Sequence, residues 1–263
     1  MTKPKKPAPN AAQLAAPSFR LAALDQDFLL HDSLRGVRFQ LEYQKAEQAL
    51  RAWGVNSTIV VFGSARITEN GKGEHGRWYA MAREFAQIAS RRGGAMDTNH
   101  NGQRENVIAT GGGGGIMEAA NRGAFDVGAP TIGFNIRLPF EQEPNPYSTP
   151  DLTFQFHYFG MRKMHFAMRA AALVVFPGGF GTFDELFELL TLVQTKKSPK
   201  LPIILFDKAY WAEVVNVKHI ADHGLISPED LDLFQYAETP QEAWAKLVEA
   251  GLKGAVFDID TVI

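Results

Sequence analysis

Two glycine-rich runs, each lying between an apolar stretch and a helical stretch, constrain the fold of this chain more than any other feature. The first run, residues 111–115, follows the apolar residues 107–110 and precedes a helical pattern from Ile116. The second run, residues 178–182, follows the apolar residues 172–176 and also opens a helical pattern. Continuous apolar strands are typical of a parallel sheet that is covered on both faces. The runs therefore predict an α/β chain with tight strand-to-helix turns.

Apolar runs and helical patterns alternate along the rest of the chain and extend this prediction. Strands are predicted at residues 58–62, 107–110, 131–136, 152–157, 172–176 and 203–206. Helices are predicted at residues 76–92, 116–125, 161–171, 183–195 and 241–250. This alternation favours a Rossmann-like, doubly wound and mostly parallel sheet flanked by helices.

Two segments precede the first predicted strand. Residues 1–31 begin with a stretch rich in proline, lysine and alanine, which predicts a flexible N-terminal arm. Residues 32–54 show helical spacing that ends at Gly54, and they predict an added N-terminal helix. We therefore expect an arm at 1–31 and a single Rossmann-like domain at 32–263 that includes this helix.

The composition excludes several classes of function. The chain has 27 basic and 29 acidic residues, so its net charge of −2 predicts no nucleic-acid partner and no anionic membrane partner. It has no cysteine, which excludes disulfides, thiol catalysis and thiolate metal sites. No apolar run approaches the ~20 residues of a membrane-spanning helix. Prolines and alanines also stand where a secretory signal needs an apolar stretch, so we expect a cytoplasmic protein.

The glycine runs also predict an anion site. Glycine permits tight turns and a close approach of ligand to backbone, and the first amides of a helix have no intrahelical acceptor. Gly63-Ser64, at the end of the first strand, is predicted to be a ligand-contacting turn at the same sheet edge. Neither a Walker A motif nor a complete dinucleotide fingerprint is present, so a mononucleotide fits better than NAD. The alternative, that the glycines only permit tight packing, stays open.

A group of carboxylates follows the second glycine run. Thr182 and Glu185 are spaced as a capping box, in which Thr182 caps the helix and Glu185 reaches back to it. The spacing alone favours this structural role. In the functional alternative Glu185 faces the sugar of a bound nucleotide, and Asp184 or Glu188 shares or replaces it in that role.

Basic side chains and histidines give weaker signals. Arg162-Lys163 begins an otherwise apolar helix, where cations are disfavoured, so an anion is expected nearby unless the pair is simply solvated. Among the histidines only His219 and His223 have a metal-ligand spacing, and no glutamate lies between them. We therefore expect both to be surface residues and expect no metal site.

The segment Pro177 to Glu185 resembles the PGGxGTxxE signature of the LOG ("lonely guy") family. These proteins are cytokinin riboside 5′-monophosphate phosphoribohydrolases, long labelled "possible lysine decarboxylase". Arg162-Lys163 stands at the place of the family's Arg-Lys pair, and residues 111–124 are similar to its first glycine loop and helix. Residues 138–147 are similar to a segment of its longer bacterial members. The resemblance covers about residues 59–210.

The resemblance implies hydrolysis of the N-glycosidic bond of a purine nucleoside 5′-monophosphate, either AMP or a cytokinin riboside 5′-monophosphate. It implies that Arg162 and Glu185 are the catalytic pair, and this reverses the preference for a purely structural Glu185. It also implies a homo-oligomer that needs neither a metal nor an organic cofactor. The residues expected to bind the substrate and its phosphate are Gly63, Ser64, Gly112, Gly113, Gly114, Lys163, Gly178, Gly179, Gly181 and Thr182.

Three other functions stay open at this point. The first is a non-catalytic nucleotide or cofactor carrier, because a fold does not determine a function. The second is a decarboxylase, whose chemistry uses pyridoxal phosphate on a Schiff-base lysine, a role that we assign to no lysine here. The third is a scaffold protein in which both glycine runs are turns.

Overall fold

The structure of the protein, a computed structural model, describes residues 8–139 and 143–253. Part of the predicted arm (1–7), part of the segment similar to longer bacterial members (140–142) and the end of the predicted domain (254–263) lie outside these ranges. The chain divides into a unit of residues 1–44 and a unit of residues 45–263. The predicted boundary at residue 31 stays a prediction.

The first unit, where it is described, consists of short helical segments. Helices α1 (Ala11–Ala15) and α2 (Gln26–Leu30) are separated by two 3₁₀ turns. The Asp25 side chain caps α2 by accepting a hydrogen bond from the Phe28 amide at 3.3 Å. Asp25 thus acts as an N-terminal cap, a position at which aspartate is favoured.

The second unit is built on one parallel sheet. The predicted helix at 32–54 is observed as a 3₁₀ turn followed by α3 (Arg35–Ala52), whose C-terminal part belongs to this unit. Among the described residues, seven strands form the sheet: β1 (Thr58–Phe62), β2 (Val107–Thr110), β3 (Thr131–Ile136), β4 (Thr153–Phe156), β5 (Ala170–Val175), β6 (Ile203–Phe206) and β7 (Gln235–Ala237). The remaining described helices are α4 (His75–Arg92), α5 (Ile116–Asp126), α6 (Phe159–Arg169), α7 (Phe180–Gln194), α8 (Lys208–Val214), α9 (Val217–Asp222) and α10 (Pro240–Glu249).

The strand order places a crevice in the middle of the sheet. The order is β4-β3-β2-β1-β5-β6-β7, and each neighbouring pair is parallel. The chain therefore proceeds outward from β1 to β4 and then returns to the other side of β1 with β5. In an open α/β sheet ligands bind at such a reversal point, outside the carboxyl ends of the strands. The loops that follow β1 and β5 flank this point.

Alternating strand residues point to two separate cores, one on each face of the sheet. Ile59 and Val61 of β1 pack in the core that contains α4, α5 and α10. Val60 and Phe62 pack in the other core, which contains buried residues of α3, α6 and α7. This alternation is the period-two arrangement of a strand buried on both faces. The predicted fold class is confirmed.

A buried ion pair joins α3 to the end of α6. Glu47 is 5% exposed, and its Oε2 accepts a hydrogen bond from Arg169 Nη1 at 2.8 Å. Its Oε1 accepts a second bond from Arg51 Nε at 2.5 Å. The hydrogen bond from Arg169, with that from Arg51, outweighs burial and lowers the pKa of Glu47 to about 2. Arg169 Nε also donates to the carbonyl of Val55, just before β1, at 3.2 Å.

The loop at residues 97–105, predicted as a surface loop, lies at the amino edge of the sheet because it leads into β2. Residues 97–102 are exposed. The base of the loop is held by backbone hydrogen bonds, from Arg104 to Gly54 at 2.7 Å and from Asn56 to Arg104 at 2.9 Å. The loop is therefore fixed at its base while its tip faces solvent.

The described residues contain neither a candidate membrane span nor a candidate metal site. None of the helices within 8–139 and 143–253 is both long and apolar enough to cross a bilayer. Within the same ranges, no three His, Asp or Glu side chains are grouped so that they would hold a metal ion.

Candidate active site

A cleft of about 620 Å³ lies at the reversal point of the sheet. Its wall comes from the loops after β1 and β5, from α5 and α6, and from the first turns of α7. The lining residues are Phe62, Gly63, Ser64, Ala65, Arg66, Met117, Arg162, Gly179, Phe180, Gly181, Thr182, Phe183 and Glu185. Of the residues predicted for the site, the cleft brings together Gly63, Ser64, Arg162, Gly179, Gly181, Thr182 and Glu185.

The loop after β1 is fixed to its neighbours on both sides. The Ser64 amide donates to the carbonyl of Pro177 at 3.1 Å, which ties this loop to the second glycine run. The Ser64 carbonyl accepts a hydrogen bond from the Ile116 amide, the first residue of α5, at 3.1 Å. Gly115 has a φ of +70° and lies so close to Ser64 that a Cβ has no room there. The three loops at this edge therefore hold one another in place.

The second glycine run forms the N-terminus of α7, but not in the predicted way. The helix begins at Phe180 with Gly179 at the cap position, and no side chain within the described ranges caps it. The predicted capping box is therefore wrong, because Thr182 already lies inside the helix. The Thr182 side chain instead packs against Gly178, where a Cβ has no room. The Tyr210 hydroxyl group donates a hydrogen bond to the Gly178 carbonyl at 2.6 Å, which stabilises the turn.

This start leaves hydrogen-bond donors at the cleft. As the first residues of α7, Phe180 and Gly181 have amides without an intrahelical acceptor. The Gly179 carbonyl accepts from the amides of Thr182 and Phe183 at 2.9 and 3.0 Å. The open amides and the helix dipole favour an anion at this end of the cleft.

A buried pair of opposite charges forms the inner wall. Arg162 Nη2 lies 3.4 Å from Glu185 Oε1, and the two side chains are 14% and 4% exposed. Arg162 also lies over the rings of Phe159 and Phe166, at 5.0 and 5.8 Å from their centroids. Its Nε is buried and has no hydrogen-bond acceptor among the described residues. The guanidinium is therefore positioned but retains a free donor.

Burial dominates the protonation of this pair. It raises the pKa of Glu185 from 4.5 to about 7, although the positive charges of Arg162 and Lys163 oppose the shift. Burial also lowers the pKa of Arg162, against the attraction of Glu185, but an arginine stays charged at neutral pH. Near pH 7 the carboxyl group of Glu185 is thus poised between its two protonation states, as the acid-base groups of many active sites are.

Lys163 faces the two neighbouring carboxylates rather than the cleft. Its Nζ lies 2.8 Å from Asp184 Oδ1 and 3.2 Å from Glu188 Oε2. Asp184 and Glu188 are four residues apart and so share one face of α7. Glu185, in contrast, is buried. Among the described residues of the lining, Glu185 is the carboxylate that remains for a ligand.

The first glycine run lies beside the cleft. Gly112, Gly113 and Gly114 are outside the lining as far as the described residues show it. The carbonyls of Gly112 and Gly113 accept hydrogen bonds from the backbone and side chain of Asn145, at 2.8 and 3.0 Å. Gly112 also packs closely on Asn135, with a φ of +69°. These contacts with Asn135 and Asn145 therefore fix the run in place. The chain borders the cleft two residues later, at Met117.

Some lining residues were not predicted from the sequence. Arg66, Met117, Phe180 and Phe183 belong to the same loops and helices as predicted residues, so adjacency to the motifs is the signal that identifies them.

A second cavity, of about 130 Å³ behind α7, is lined mostly by apolar side chains. Its lining, as far as the structure describes it, has no basic side chain for a phosphate. The cleft at the reversal point combines arginines with a buried carboxylate and open helix amides, and it is therefore the candidate active site.

The chain is similar to known proteins over about half of its length. The family described as "Possible lysine decarboxylase" matches residues 117–247. The cytokinin riboside 5′-monophosphate phosphoribohydrolase LOG3 of Arabidopsis thaliana is 26% identical over 160 residues, which are 59% of this chain and 73% of LOG3. The probable cytokinin riboside 5′-monophosphate phosphoribohydrolase LOG6, also of Arabidopsis thaliana, is 26% identical over 144 residues. These residues are 54% of this chain and 71% of LOG6. Over this part of its length the chain is similar to the LOG family.

The fold of this chain is also found in a solved structure. The X-ray structure of TM1055, a structural genomics target, superimposes with a TM-score of 0.51 at 19% identity, covering 74% of this chain and 99% of TM1055. The likeness shows the shared fold. The family match contains Arg162, Glu185 and the second glycine run, whereas the loop after β1 precedes it.

The raised pKa of Glu185 leads to a prediction about stability. Between pH 4.5 and 7 the folded state retains a proton on Glu185 that the unfolded state has lost. The free energy of unfolding of the wild type should therefore fall with rising pH, relative to Glu185→Gln, by ~3 kcal/mol over this interval. Urea titrations of both proteins at several pH values measure the difference. Parallel pH profiles for the two proteins would contradict the raised pKa.

Proposed function

We propose that this protein hydrolyses the N-glycosidic bond of a purine nucleoside 5′-monophosphate, AMP or a cytokinin riboside 5′-monophosphate, to the free base and ribose 5-phosphate. One observation carries the proposal. Glu185 is a buried carboxylate in a cleft that also contains Arg162 and the open amides of α7. The names of LOG3 and LOG6 support the same reaction class.

The proposed reaction requires few groups. As the bond between the base nitrogen and C1′ breaks, positive charge develops on the ribose, and the Glu185 carboxylate stabilises it. The same carboxylate orients a water molecule and accepts its proton as the oxygen bonds to C1′. The departing base takes up a proton, so that AMP and water give adenine and ribose 5-phosphate. The positive charge of Arg162, which lines the cleft, neutralises the phosphate or assists the departing base in this proposal.

The phosphate is assigned to the N-terminus of α7. Gly179 and Gly181 leave the backbone open to a close anion, and Thr182 lines the same wall. Gly178 permits the close packing that holds Thr182 in place. Gly63 and Ser64 border the opposite side of the cleft. In this assignment the site consists of protein groups alone, without a metal or an organic cofactor.

The experiment that tests this function is an incubation of the purified full chain with AMP and, separately, with its isopentenyl analogue. Stoichiometric release of the base and ribose 5-phosphate from either nucleotide is the expected result. If both nucleotides stay intact while they raise the melting temperature, the protein is a nucleotide carrier and the hydrolase proposal fails.

The proposal includes a homo-oligomer. Large apolar side chains are exposed next to the cleft, including Phe159 on α6 and Phe180 on α7, at 50 and 96%. Exposed apolar groups of this kind favour burial against another protein surface. We expect light scattering to give a mass of at least twice the 29.0 kDa of the chain. A monomeric mass at micromolar concentration would contradict this part of the proposal.

A further inference from the structure

The cations around the cleft are not equally available to a ligand. Arg162 is paired with Glu185 at 3.4 Å, and Lys163 is paired with Asp184 at 2.8 Å. Arg66 also lines the cleft, and its side chain has no ion pair with any residue in the described ranges. The lining thus contains two arginines and one carboxylate, an excess of positive charge that a bound anion would balance.

The backbone that carries Arg66 is held in place while its side chain is exposed. The Arg66 amide donates to Ser64 Oγ at 3.1 Å. Ser64 is in turn bonded to Pro177, directly before the second glycine run. The loop therefore fixes the Arg66 backbone in the lining that also contains the first residues of α7. Because the loop backbone is already fixed, only the Arg66 side chain has to become ordered when it contacts a ligand.

The helix N-terminus and the arginine offer complementary contacts. The amides of Phe180 and Gly181 donate hydrogen bonds but carry only partial charge. A phosphate monoester carries close to two negative charges near neutral pH. A guanidinium supplies a full charge and a planar pair of donors that matches two phosphate oxygens. An arginine in the same lining as the helix N-terminus would thus complete a phosphate site that the amides begin.

We propose that Arg66 binds the 5′-phosphate of the substrate and makes the protein select nucleoside 5′-monophosphates over nucleosides. This inference rests on the proposed function for the substrate class, but not for the binding of phosphate. A site that pairs a charged group of its ligand discriminates strongly against an analogue that lacks the group, because its own polar groups are then left unpaired.

The test compares Arg66→Ala and Arg66→Lys with the wild type. We expect Arg66→Ala to raise KM for AMP by ~10-fold or more, with a smaller effect on kcat, and to weaken the binding of ribose 5-phosphate by a similar factor in calorimetry. Activity on adenosine should stay within about twofold, so the preference for AMP falls. Arg66→Lys retains the charge without the fork and should lie between the two. Arg91→Ala, in the last turn of α4 and outside the lining, is the control for the loss of one exposed cation.

The outcomes separate the two proposals. If the wild type cleaves AMP but Arg66→Ala binds AMP and ribose 5-phosphate as tightly as the wild type, the role of Arg66 is refuted and the proposed function stands. An equal loss of activity on AMP and adenosine would also refute a role specific to phosphate. If the wild type binds ribose 5-phosphate without cleaving any nucleotide, the hydrolase proposal fails, and the loss of binding in Arg66→Ala still supports the phosphate site.

Discussion

Glu185→Gln should lower the rate of adenine release from AMP by ~100-fold or more, while the fold and nucleotide binding are retained. The amide has nearly the same shape as the carboxylate, but it neither stabilises positive charge on the ribose nor accepts a proton from water. Arg162→Ala should cause a loss of similar size, because it removes the positively charged partner 3.4 Å from Glu185. Initial rates with AMP, measured by following the free base, give both values.

Two neighbours of Glu185 provide matched controls. Asp184→Asn and Glu188→Gln make the same kind of change on the same helix, but these carboxylates pair with Lys163 outside the cleft lining. We expect both variants to retain activity within about fivefold. A loss at Glu188 as large as that at Glu185 would show that the carboxylates were assigned wrongly.

Glu47→Gln should lower the free energy of unfolding by ~3 kcal/mol. The substitution removes the charge that compensates Arg169, whose side chain is only 12% exposed, and an uncompensated buried cation is costly. The loss should appear at neutral pH, well above the pKa of about 2 of the Glu47 carboxyl group. Chemical denaturation followed by tryptophan fluorescence measures it.

Arg51→Gln is the control for this prediction. Arg51 bonds to the same carboxylate, but its side chain is 74% exposed, so its loss should cost less than about 1 kcal/mol. If both variants lower the free energy of unfolding equally, burial of the Glu47–Arg169 pair does not determine how much the pair contributes to stability.

Most of the sheet could be predicted from the sequence, because its strands are apolar on both faces. Strands β1, β2, β3 and β6 begin and end at the predicted residues. The three-residue edge strand β7 was not predicted, since its polar neighbours give no pattern. Helix α6 was predicted to extend to residue 171, but the apolar, small residues from 170 onward satisfy either a helix or a buried strand. Pairing with β1 decides for the strand.

The candidate site was harder to predict, since side-chain direction decides it. The motif indicates Asp184, Glu185 and Glu188 alike, and only the position of Lys163 shows which carboxylates are occupied. The capping-box prediction failed for a related reason. A Thr-x-x-Glu spacing also fits the interior of a helix, and here Gly179 begins the helix three residues earlier. Arg66 follows the end of a strand, and the sequence around it has no pattern that indicates a ligand-binding arginine. Only the folded arrangement of the loops shows that it lines the cleft.

The loop at residues 97–105 has a consequence for how chains of this kind diversify. It leads into β2 at the amino edge of the sheet, whereas the cleft is at the carboxyl edge. Its tip is solvent-exposed, and its base is held by the backbone bonds of Arg104. Selection for catalysis therefore acts weakly on the length of this loop. It is a region where relatives can gain or lose residues, or acquire a new binding surface, without altering the chemistry on the opposite edge.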